Sequence, residues 1–350
     1  MNELLHKVLA PIEALPPDIQ FALWAFVKIF IILNVTLVAV SYLVWAERKI
    51  CSRMQGRFGP NRVGIFGLLQ PWADVVKLLF KEEMMPGTAN RVIYRIAPGL
   101  AIVPALITFS VVPFGPGLQV TDINVGLLLF LAMSSIGVYA IVLGGWASNN
   151  KYALIGGLRA SAQMVSYELA MGVSTIGVLL LAGSLSMVDI VKIQTVPVHF
   201  FGLPLPGWFI FRQPVAFIVF MIAALAETNR TPFDLAEAEA ELVAGFHTEY
   251  SSMKFGLFFL GEYSNIITIC AIAVTLFLGG WDGPGPDAIK FVWFFGKLAV
   301  LVFCFVWARW TLPRYRYDQL MNIGWKFLLP VAFASVLVTA TLEFFHWGAR

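Results

Sequence analysis

The sequence contains few of the residues that hold metals and redox centres. It has three widely separated cysteines and four histidines, and neither a CxxC nor an HExxH pattern occurs. Zinc sites and iron–sulfur clusters usually have closely spaced ligands, so we expect neither within this chain. The patterns GxGxxG and GxxxxGK[ST] are also absent, so we expect no nucleotide or flavin site. Any redox cofactor would have to be held by another chain.

Charged side chains are scarce as well. Only 13% of the 350 residues are Asp, Glu, Lys or Arg, whereas 59% are hydrophobic and the mean hydropathy is +0.79. This composition excludes an ordinary soluble domain. A helix needs about 20 mostly apolar residues to cross a hydrocarbon layer of about 30 Å. Such runs lie at about 21–45, 96–114, 122–146, 160–183, 209–229, 252–280, 288–312 and 319–346. The sequence therefore predicts an all-α polytopic membrane protein of about eight transmembrane helices plus cytoplasmic amphipathic helices, forming one domain over residues 1–350.

Basic residues are distributed unevenly between the two ends of these spans. Most Lys and Arg residues follow the first, third, fifth and seventh spans. Because cytoplasmic loops carry the excess of Lys and Arg, we expect these four loops to face the cytoplasm or matrix. Both termini are then expected on the periplasmic side. The two longest of these loops, 46–95 and 230–251, are expected to be functional.

The loop 46–95 is basic and rich in turn residues. Arg48, Arg57 and Arg62 lie in its first part, and residues 66–80 have the apolar spacing of an amphipathic helix in the membrane interface. One interpretation is that these charges contact anionic lipid headgroups. The other is that basic and aromatic side chains form the mouth of a chamber for a lipid-like ligand with a polar head.

The segment 227–250 has the highest density of acidic residues. The carboxylates of this segment belong to Glu227, Asp234, Glu237, Glu239, Glu241 and Glu249. Arg230 is the only Lys or Arg in the segment. Like charges beside a membrane are unfavourable unless they handle protons, bind a cation or dock a basic partner. Their spacing matches no known calcium loop, and we predict no metal site. Phe233 and Phe246 interleave with the acids, which favours a packed loop; a solvated charged face is the alternative.

Two further carboxylates lie inside predicted spans. Glu168 is in the fourth span, among small and polar residues at helical spacing, and Glu262 is in the sixth. A charge at such depth costs about 2.5–3.5 kcal/mol. Both are therefore candidates for a proton relay that titrates together with the loop acids. The alternative is that each is neutral or paired with an arginine and only ties helices together. Lys297 and Lys326 are possible counter-charges, or side chains that reach the interface.

Motifs distributed along the chain carry a resemblance to a known family. They are AERK at 46–49, RFGPNRVG at 57–64, GLLQPWAD at 67–74, SYE at 166–168, AETNRTPFDL at 226–235, EAELVAGF at 239–246, YS at 250–251, FFLGEY at 258–263 and RYDQLM at 316–321. From about residue 24 to 345 the chain resembles the H subunit of the proton-pumping NADH:quinone oxidoreductase, respiratory complex I. It departs from that pattern at Ile65, where a Pro is common, and at His247.

The resemblance implies tilted helices that enclose most of a quinone tunnel at the junction of the membrane and peripheral arms. It implies that a set of acids links the quinone chamber to the pumping subunits. These acids are Glu168, Asp234, Glu237, Glu239, Glu241, Glu249 and Glu262, and we add Glu227 from the same acidic segment. It also implies positions near the tunnel and its flexible loop for Arg48, Arg57, Arg62, Asp74, Phe233 and Phe246.

On this basis we expect a membrane subunit of NADH:quinone oxidoreductase, a translocase, with no complete active site of its own. The bound substrate is a quinone, either ubiquinone or menaquinone, and flavin and iron–sulfur clusters belong to partner chains. Expected partners are the peripheral quinone-site and terminal iron–sulfur subunits, small membrane subunits, antiporter-like subunits and membrane lipids, without nucleic acid. The expected location is a bacterial inner membrane, or the mitochondrial inner membrane in an organelle. The alternatives are the equivalent subunit of a membrane-bound hydrogenase or formate hydrogenlyase, and a stand-alone ion-coupled transporter.

Overall fold

The computed structural model describes residues 16–200, 203–234 and 245–348. Its helices are α1 (Pro17–Met54), α2 (Gln70–Phe80), α3 (Arg91–Thr108), α4 (Gly126–Ala147), α5 (Lys151–Ala182), α6 (Met187–Gln194), α7 (Phe209–Arg212), α8 (Pro214–Glu227), α9 (Ser252–Phe277), α10 (Lys290–Thr311), α11 (Tyr317–Asn322) and α12 (Leu329–Gly348). Strands β1 (Val198–Phe200) and β2 (Leu203–Leu205) form a short antiparallel hairpin. Single 3₁₀ turns lie at Ile65–Gly67, Gly245–His247 and Asp287–Ile289, and a π-helical turn, Ile323–Leu328, joins α11 to α12.

In the described ranges, seven helices are long and apolar enough to cross a membrane. They are α1, α3, α4, α5, α9, α10 and the continuous unit Tyr317–Phe345. This confirms the predicted all-α membrane architecture. The fifth predicted span, 209–229, is interrupted at Pro214, which has no N–H to donate and is tolerated only in the first turn of a helix. The 14-residue α8 that begins there extends about 21 Å, less than the hydrocarbon thickness of about 30 Å.

Two helices begin well before the predicted spans because a side chain caps each of them. The Asn90 side chain accepts hydrogen bonds from two backbone N–H groups of α3, so this helix starts before the predicted residue 96. The Asn150 side chain accepts one such hydrogen bond, from the backbone N–H of Tyr152 in α5, and this helix starts before the predicted residue 160. At its other end, α5 stops where Gly183 adopts the left-handed conformation that glycine tolerates best. Local capping, not hydropathy, sets these ends.

The helix α9 lies at the centre of the bundle. Of its apolar window, 67% is buried, against 11% for α1, which leaves most of α1 facing outward. The neighbours of α9 include α1, α3, α8 and α10. Because α9 carries Glu262 and Tyr263, these two polar side chains are enclosed by other helices.

The connections after α1, α4, α8 and α10 lie together at one end of the bundle, which we call the basic end. The N–H of Met84 donates to Ser251 Oγ at 2.9 Å, and the N–H of Tyr315 donates to the Pro232 carbonyl at 3.1 Å. These bonds hold the described parts of the acidic segment against the connection between α2 and α3 and against the connection after α10, and Asn150, in the connection after α4, donates to the Glu249 carboxylate at 2.7 Å.

At the opposite end, Lys297 fixes the C-terminus of α9. Its ammonium donates to the carbonyl oxygens of Leu278, Gly280 and Asp282 at 2.7, 3.1 and 2.6 Å. It also lies 4.1 Å from the centre of the Trp208 ring. A cation is favourable at the negative end of a helix dipole and over an aromatic face. Lys297 therefore serves a helix end, which is neither of the two roles considered for it from the sequence.

We expect Lys297→Met to destabilise the protein by about 2–4 kcal/mol, because three carbonyls lose a charged donor. The loss is measurable as a lower midpoint of thermal denaturation of the purified protein in detergent. Lys290→Met on the same helix is the control, because its surface pair with Asp287 should contribute only about 0–1 kcal/mol. Equal midpoints for the two variants would contradict the role of Lys297.

Candidate ligand chamber and buried carboxylates

A chamber of about 510 Å³ lies between α1, α2 and α9 near the basic end. Its apolar and aromatic lining comprises Val40, Val44, Trp45, Leu78, Phe255, Phe259, Leu260 and Tyr263. Ligand sites of proteins usually have about 300–1,000 Å³ and a mostly apolar wall with a few polar groups. The chamber fits this description, and its shape suits an apolar ligand that carries a polar group.

Polar side chains surround the chamber where α2 meets α1. Arg48 Nη1 donates to Asp74 Oδ2 at 2.7 Å, and Gln70 donates to Asp74 Oδ1 at 3.0 Å. Lys77 and Lys81 also belong to the lining. Because the Arg48 side chain is about half exposed, its ion pair contributes only about 0–1 kcal/mol to stability. The pair therefore orients a guanidinium at the chamber wall more than it stabilises the fold.

Tyr250 forms part of the wall next to the acidic segment. Its ring stacks on Tyr94, with ring centres 4.2 Å apart. Burial, together with the neighbouring Tyr94, raises the pKa of the Tyr250 phenol. Tyr250 therefore presents a neutral hydroxyl at physiological pH.

Among the six residues predicted for the tunnel, the structure divides those of the basic loop into two groups. Arg48 and Asp74 line the chamber. Arg57 and Arg62 are exposed in the connection between α1 and α2, outside the chamber lining. Their exposure also fits the other interpretation of this loop, contact with anionic lipid.

The two predicted tunnel phenylalanines are buried elsewhere at the basic end. The Phe233 ring lies 5.3 Å from that of Tyr167 and 5.7 Å from that of Tyr315. The Phe246 ring lies edge-on to Phe258 at 5.2 Å. Both side chains anchor the described parts of the acidic segment to the helices, and neither belongs to the chamber lining.

Two ion pairs deep in the bundle form what we call the charge cluster, which consists of Glu47, Arg230, Glu262, Tyr263 and Arg309. Arg309 Nη1 donates to Glu47 Oε1, and the Tyr263 hydroxyl donates to Glu47 Oε2 at 2.7 Å. Arg230, only 3% exposed, binds Glu262 Oε2 at 3.2 Å, and its guanidinium carbon lies 4.5 Å from the Tyr263 ring centre. The two carboxylates balance the two guanidinium groups, as burial of such groups requires.

Glu168 and Glu227, which the sequence places in separate spans, meet on neighbouring serines. Ser135 Oγ donates to Glu168, and Ser134 Oγ donates to Glu227. The two carboxyl groups lie between α4, α5 and α8, close enough to interact electrostatically. Glu227 Oε2 is buried and makes no hydrogen bond to a described residue. A buried oxygen without a partner favours a bound water or a proton there.

Two small cavities adjoin Glu227. One is lined in part by Glu227, Glu262 and Asn265, and the other in part by Glu227, Ser134 and Thr268. The first has about 30 Å³, and a water molecule needs at least about 10–15 Å³. Glu262 of the charge cluster and Glu227 therefore line one cavity that is large enough for a water molecule.

Two of the remaining predicted acids, Asp234 and Glu249, lie at the basic end. Glu249 is half-buried, and its carboxylate accepts a hydrogen bond from Asn150 at 2.7 Å. Asp234 is half-buried beside Phe233. Glu237, Glu239 and Glu241 lie outside the described residues. Within the described ranges, no group of three or more His, Cys, Asp or Glu side chains is arranged to hold a metal ion.

Several residues of these sites were not among those predicted from the sequence. They are Glu47, Ser134, Ser135, Tyr263 and Arg309. Two signals were available: a carboxylate next to Arg48 at the end of the first span, and a pair of hydroxyl side chains within an apolar run. Neither signal reveals its partner, because the partners come from distant helices.

The chain is similar to known proteins over most of its length. A family model described as NADH dehydrogenase matches residues 27–340. The NADH-quinone oxidoreductase H subunit numbered 1 in Geobacter metallireducens is 54% identical over 321 residues, covering 89% of this chain and 94% of that protein. The H subunit numbered 2 in Geobacter sulfurreducens is 53% identical over 327 residues, covering 91% and 96%. The H subunit of Thermomicrobium roseum is 48% identical over 341 residues, covering 95% and 99%. The matched residues include the chamber, the charge cluster and the carboxylates on the two serines.

Proposed function

This chain belongs to the NADH dehydrogenase family, among the proteins named as H subunits of NADH-quinone oxidoreductase, and from this premise we propose that its chamber binds the quinone and that its buried carboxylates couple quinone reduction to proton translocation. The protein is an integral membrane subunit of a multi-subunit enzyme. The observation that carries the proposal is the position of Tyr263, which lines the chamber and also donates to the charge cluster.

The chamber supplies what a quinone needs from a protein. Its aromatic and aliphatic wall buries an apolar ring and tail, and the Arg48 guanidinium and the Gln70 amide are polar groups that orient a carbonyl-bearing head. A bound quinone provides an acceptor for two electrons and two protons. Because we expect no redox centre within this chain, the electrons come from clusters in partner subunits.

Coupling follows from the positions of the carboxylates. A change of charge in the chamber acts first on the charge cluster, because Tyr263 belongs to both. Glu262 of that cluster shares a water-sized cavity with Glu227, and Glu227 lies beside Glu168 through Ser134 and Ser135. These groups form a route for protons or for a change of field from the chamber to the half-buried Glu168.

The proposal includes an orientation and a set of neighbours. The basic end faces the cytoplasm, because positive charge is retained on that side, and both termini face the periplasm of a bacterial inner membrane. The peripheral quinone-site and terminal iron–sulfur subunits contact the basic end. The small membrane subunits and antiporter-like subunits lie beyond Glu168 and continue the route.

Neither alternative function is favoured by the chamber and the similarities together. A hydrogenase subunit needs no quinone chamber, and a stand-alone transporter needs no partner with redox centres. The three relatives described above are all named as subunits of a quinone-reducing enzyme. Co-purification with iron–sulfur partners and a quinone dependence of turnover would separate the three functions.

A chamber-filling substitution tests the quinone assignment. Val44→Trp places an indole inside the chamber, and we expect the apparent KM for quinone to rise about tenfold, the effect of losing about 1.4 kcal/mol of binding free energy. NADH oxidation by a water-soluble artificial acceptor, which needs no chamber, should stay unchanged. The measurement is steady-state kinetics of the assembled enzyme in membranes.

Val38→Trp is the matched control, since Val38 lies on the same helix but is 41% exposed on the outer face. It should keep the wild-type KM. An unchanged KM for quinone in a fully assembled Val44→Trp enzyme would show that quinone does not bind in this chamber.

A further inference from the structure

Tyr263 forms the partition between the chamber and the charge cluster. The side chain is 5% exposed and belongs to the lining of both spaces. One face of the ring meets the Arg230 guanidinium at 4.5 Å, and the hydroxyl donates to Glu47 at 2.7 Å. A ligand in the chamber and the ions behind it therefore act on the same side chain.

The two guanidinium groups of the cluster have a choice of carboxylates. Glu47, Arg230 and Arg309 line one small cavity, and Glu262 adjoins it through its bond to Arg230. Arg309 and Tyr263 occupy the two oxygens of Glu47, one each. Glu47 already binds one guanidinium and one hydroxyl donor, so a second guanidinium gains less there than it does on Glu262, and Arg230 stays on Glu262.

We propose that Tyr263 is a positioning residue whose hydroxyl, by occupying Glu47, keeps Arg230 paired with Glu262. The inference rests on the proposed function, because it assigns Tyr263 a part in coupling rather than in electron transfer. When a ligand in the chamber draws the hydroxyl away, Glu47 gains a free oxygen and competes with Glu262 for Arg230. Glu262 then loses its ion pair with Arg230. The electrostatic potential in the cavity that Glu262 and Glu227 line changes as a result.

The energies of these contacts suit a hydrogen bond from Tyr263 to Glu47 that can be exchanged. Buried ion pairs depend steeply on the loss of one partner, and a hydrogen bond from a neutral phenol is easier to exchange than an ion pair. The ring also holds Arg230 through its face, so the guanidinium can move between acceptors without leaving the aromatic surface.

Tyr263→Phe tests the proposal, since it removes one oxygen atom and keeps the ring on Arg230. We expect the number of protons translocated per electron to fall severalfold, to as little as about a tenth, while the apparent KM for quinone stays within about twofold. The measurement uses the assembled enzyme in sealed vesicles, with NADH, quinone and a pH-sensitive dye. Tyr94→Phe is the control, because Tyr94 is equally buried but donates to the backbone carbonyls of Glu249 and Met84.

A double variant tests the route through Glu47. Tyr263→Phe with Glu47→Gln should pump no worse than Glu47→Gln alone, because both changes act through one carboxylate. If the Tyr263→Phe enzyme fails to assemble, the Glu47→Gln variant is measured instead. This change removes the Glu47 charge, so Arg309 can compete with Arg230 for Glu262, and the proton-to-electron ratio should also fall.

Two outcomes would overturn the inference and leave the proposed function intact. One is a wild-type proton-to-electron ratio in Tyr263→Phe, or in Glu47→Gln where that variant stands in. The other is a raised KM with an unchanged ratio, which would make Tyr263 a wall residue only. The binding of quinone in the chamber is tested separately, by the KM for quinone of the Val44→Trp enzyme.

Discussion

Replacing Glu227 by Gln is expected to lower quinone-linked proton translocation about a hundredfold, the scale on which positioned acids and bases act. Glutamine has nearly the shape of glutamate, and its amide oxygen can still accept from Ser134. It cannot bind and release a proton. Glu227 adjoins both small cavities, so its loss interrupts the route between Glu262 and Glu168. Assembly should be preserved because no ion pair is broken.

The measurement is the rate of proton translocation by sealed vesicles during NADH oxidation by quinone, with the amounts of enzyme matched by their rates of NADH oxidation by the artificial acceptor. Glu343→Gln is the control, because Glu343 is a half-buried carboxylate within an apolar helix and lies outside both cavities. Full pumping in Glu227→Gln would place the proton route elsewhere.

Replacing Arg230 by Ala is expected to prevent the subunit from assembling. The guanidinium is 3% exposed, binds Glu262, and lies over the rings of Tyr263 and Phe259 at 4.5 and 5.8 Å. Removing one member of a buried ion pair costs about 3–5 kcal/mol, since the other charge is left without compensation. Such a loss is a large part of the stability of a typical domain. The yield of intact complex after gentle solubilisation measures the effect.

A second variant separates lost packing from an uncompensated charge. Arg230→Met with Glu262→Gln removes both charges and keeps most of the volume, so assembly should largely recover while proton translocation stays low. A double variant that assembles no better than Arg230→Ala would show that the cation itself, through its aromatic contacts, is required.

The helices could be predicted from the sequence because their signal is local. Apolar runs of sufficient length predict a membrane-crossing helix, and seven long helices among the described residues confirm this class of fold. The ends were less predictable. Asn90 and Asn150 extend α3 and α5 beyond the apolar core by capping them, and Pro214 shortens the fifth span. Such single side chains hardly change a hydropathy average.

The sites could be predicted only in part, because they depend on contacts between distant segments. That Glu168 and Glu262 are enclosed follows from their apolar surroundings, but their partners Ser135 and Arg230 come from other parts of the chain. Charge alone also cannot separate chamber residues from exposed ones. Arg48 and Arg57 occur in the same basic loop, yet only Arg48 lines the chamber, because it still lies on α1.

The short helix α8 has a consequence for how this protein responds to an electric potential. A helix of about 21 Å is about 9 Å shorter than a hydrocarbon layer is thick, and the chain continues from it as the buried, irregular residues Thr228, Asn229 and Arg230. Non-helical backbone within a membrane is stable only when it is enclosed by protein. Glu227, the last residue of α8, is likewise only 5% exposed, so a proton that reaches it moves through a region of low dielectric constant. Displacing one charge across such a region responds to a membrane potential at up to about 2.3 kcal/mol per 100 mV.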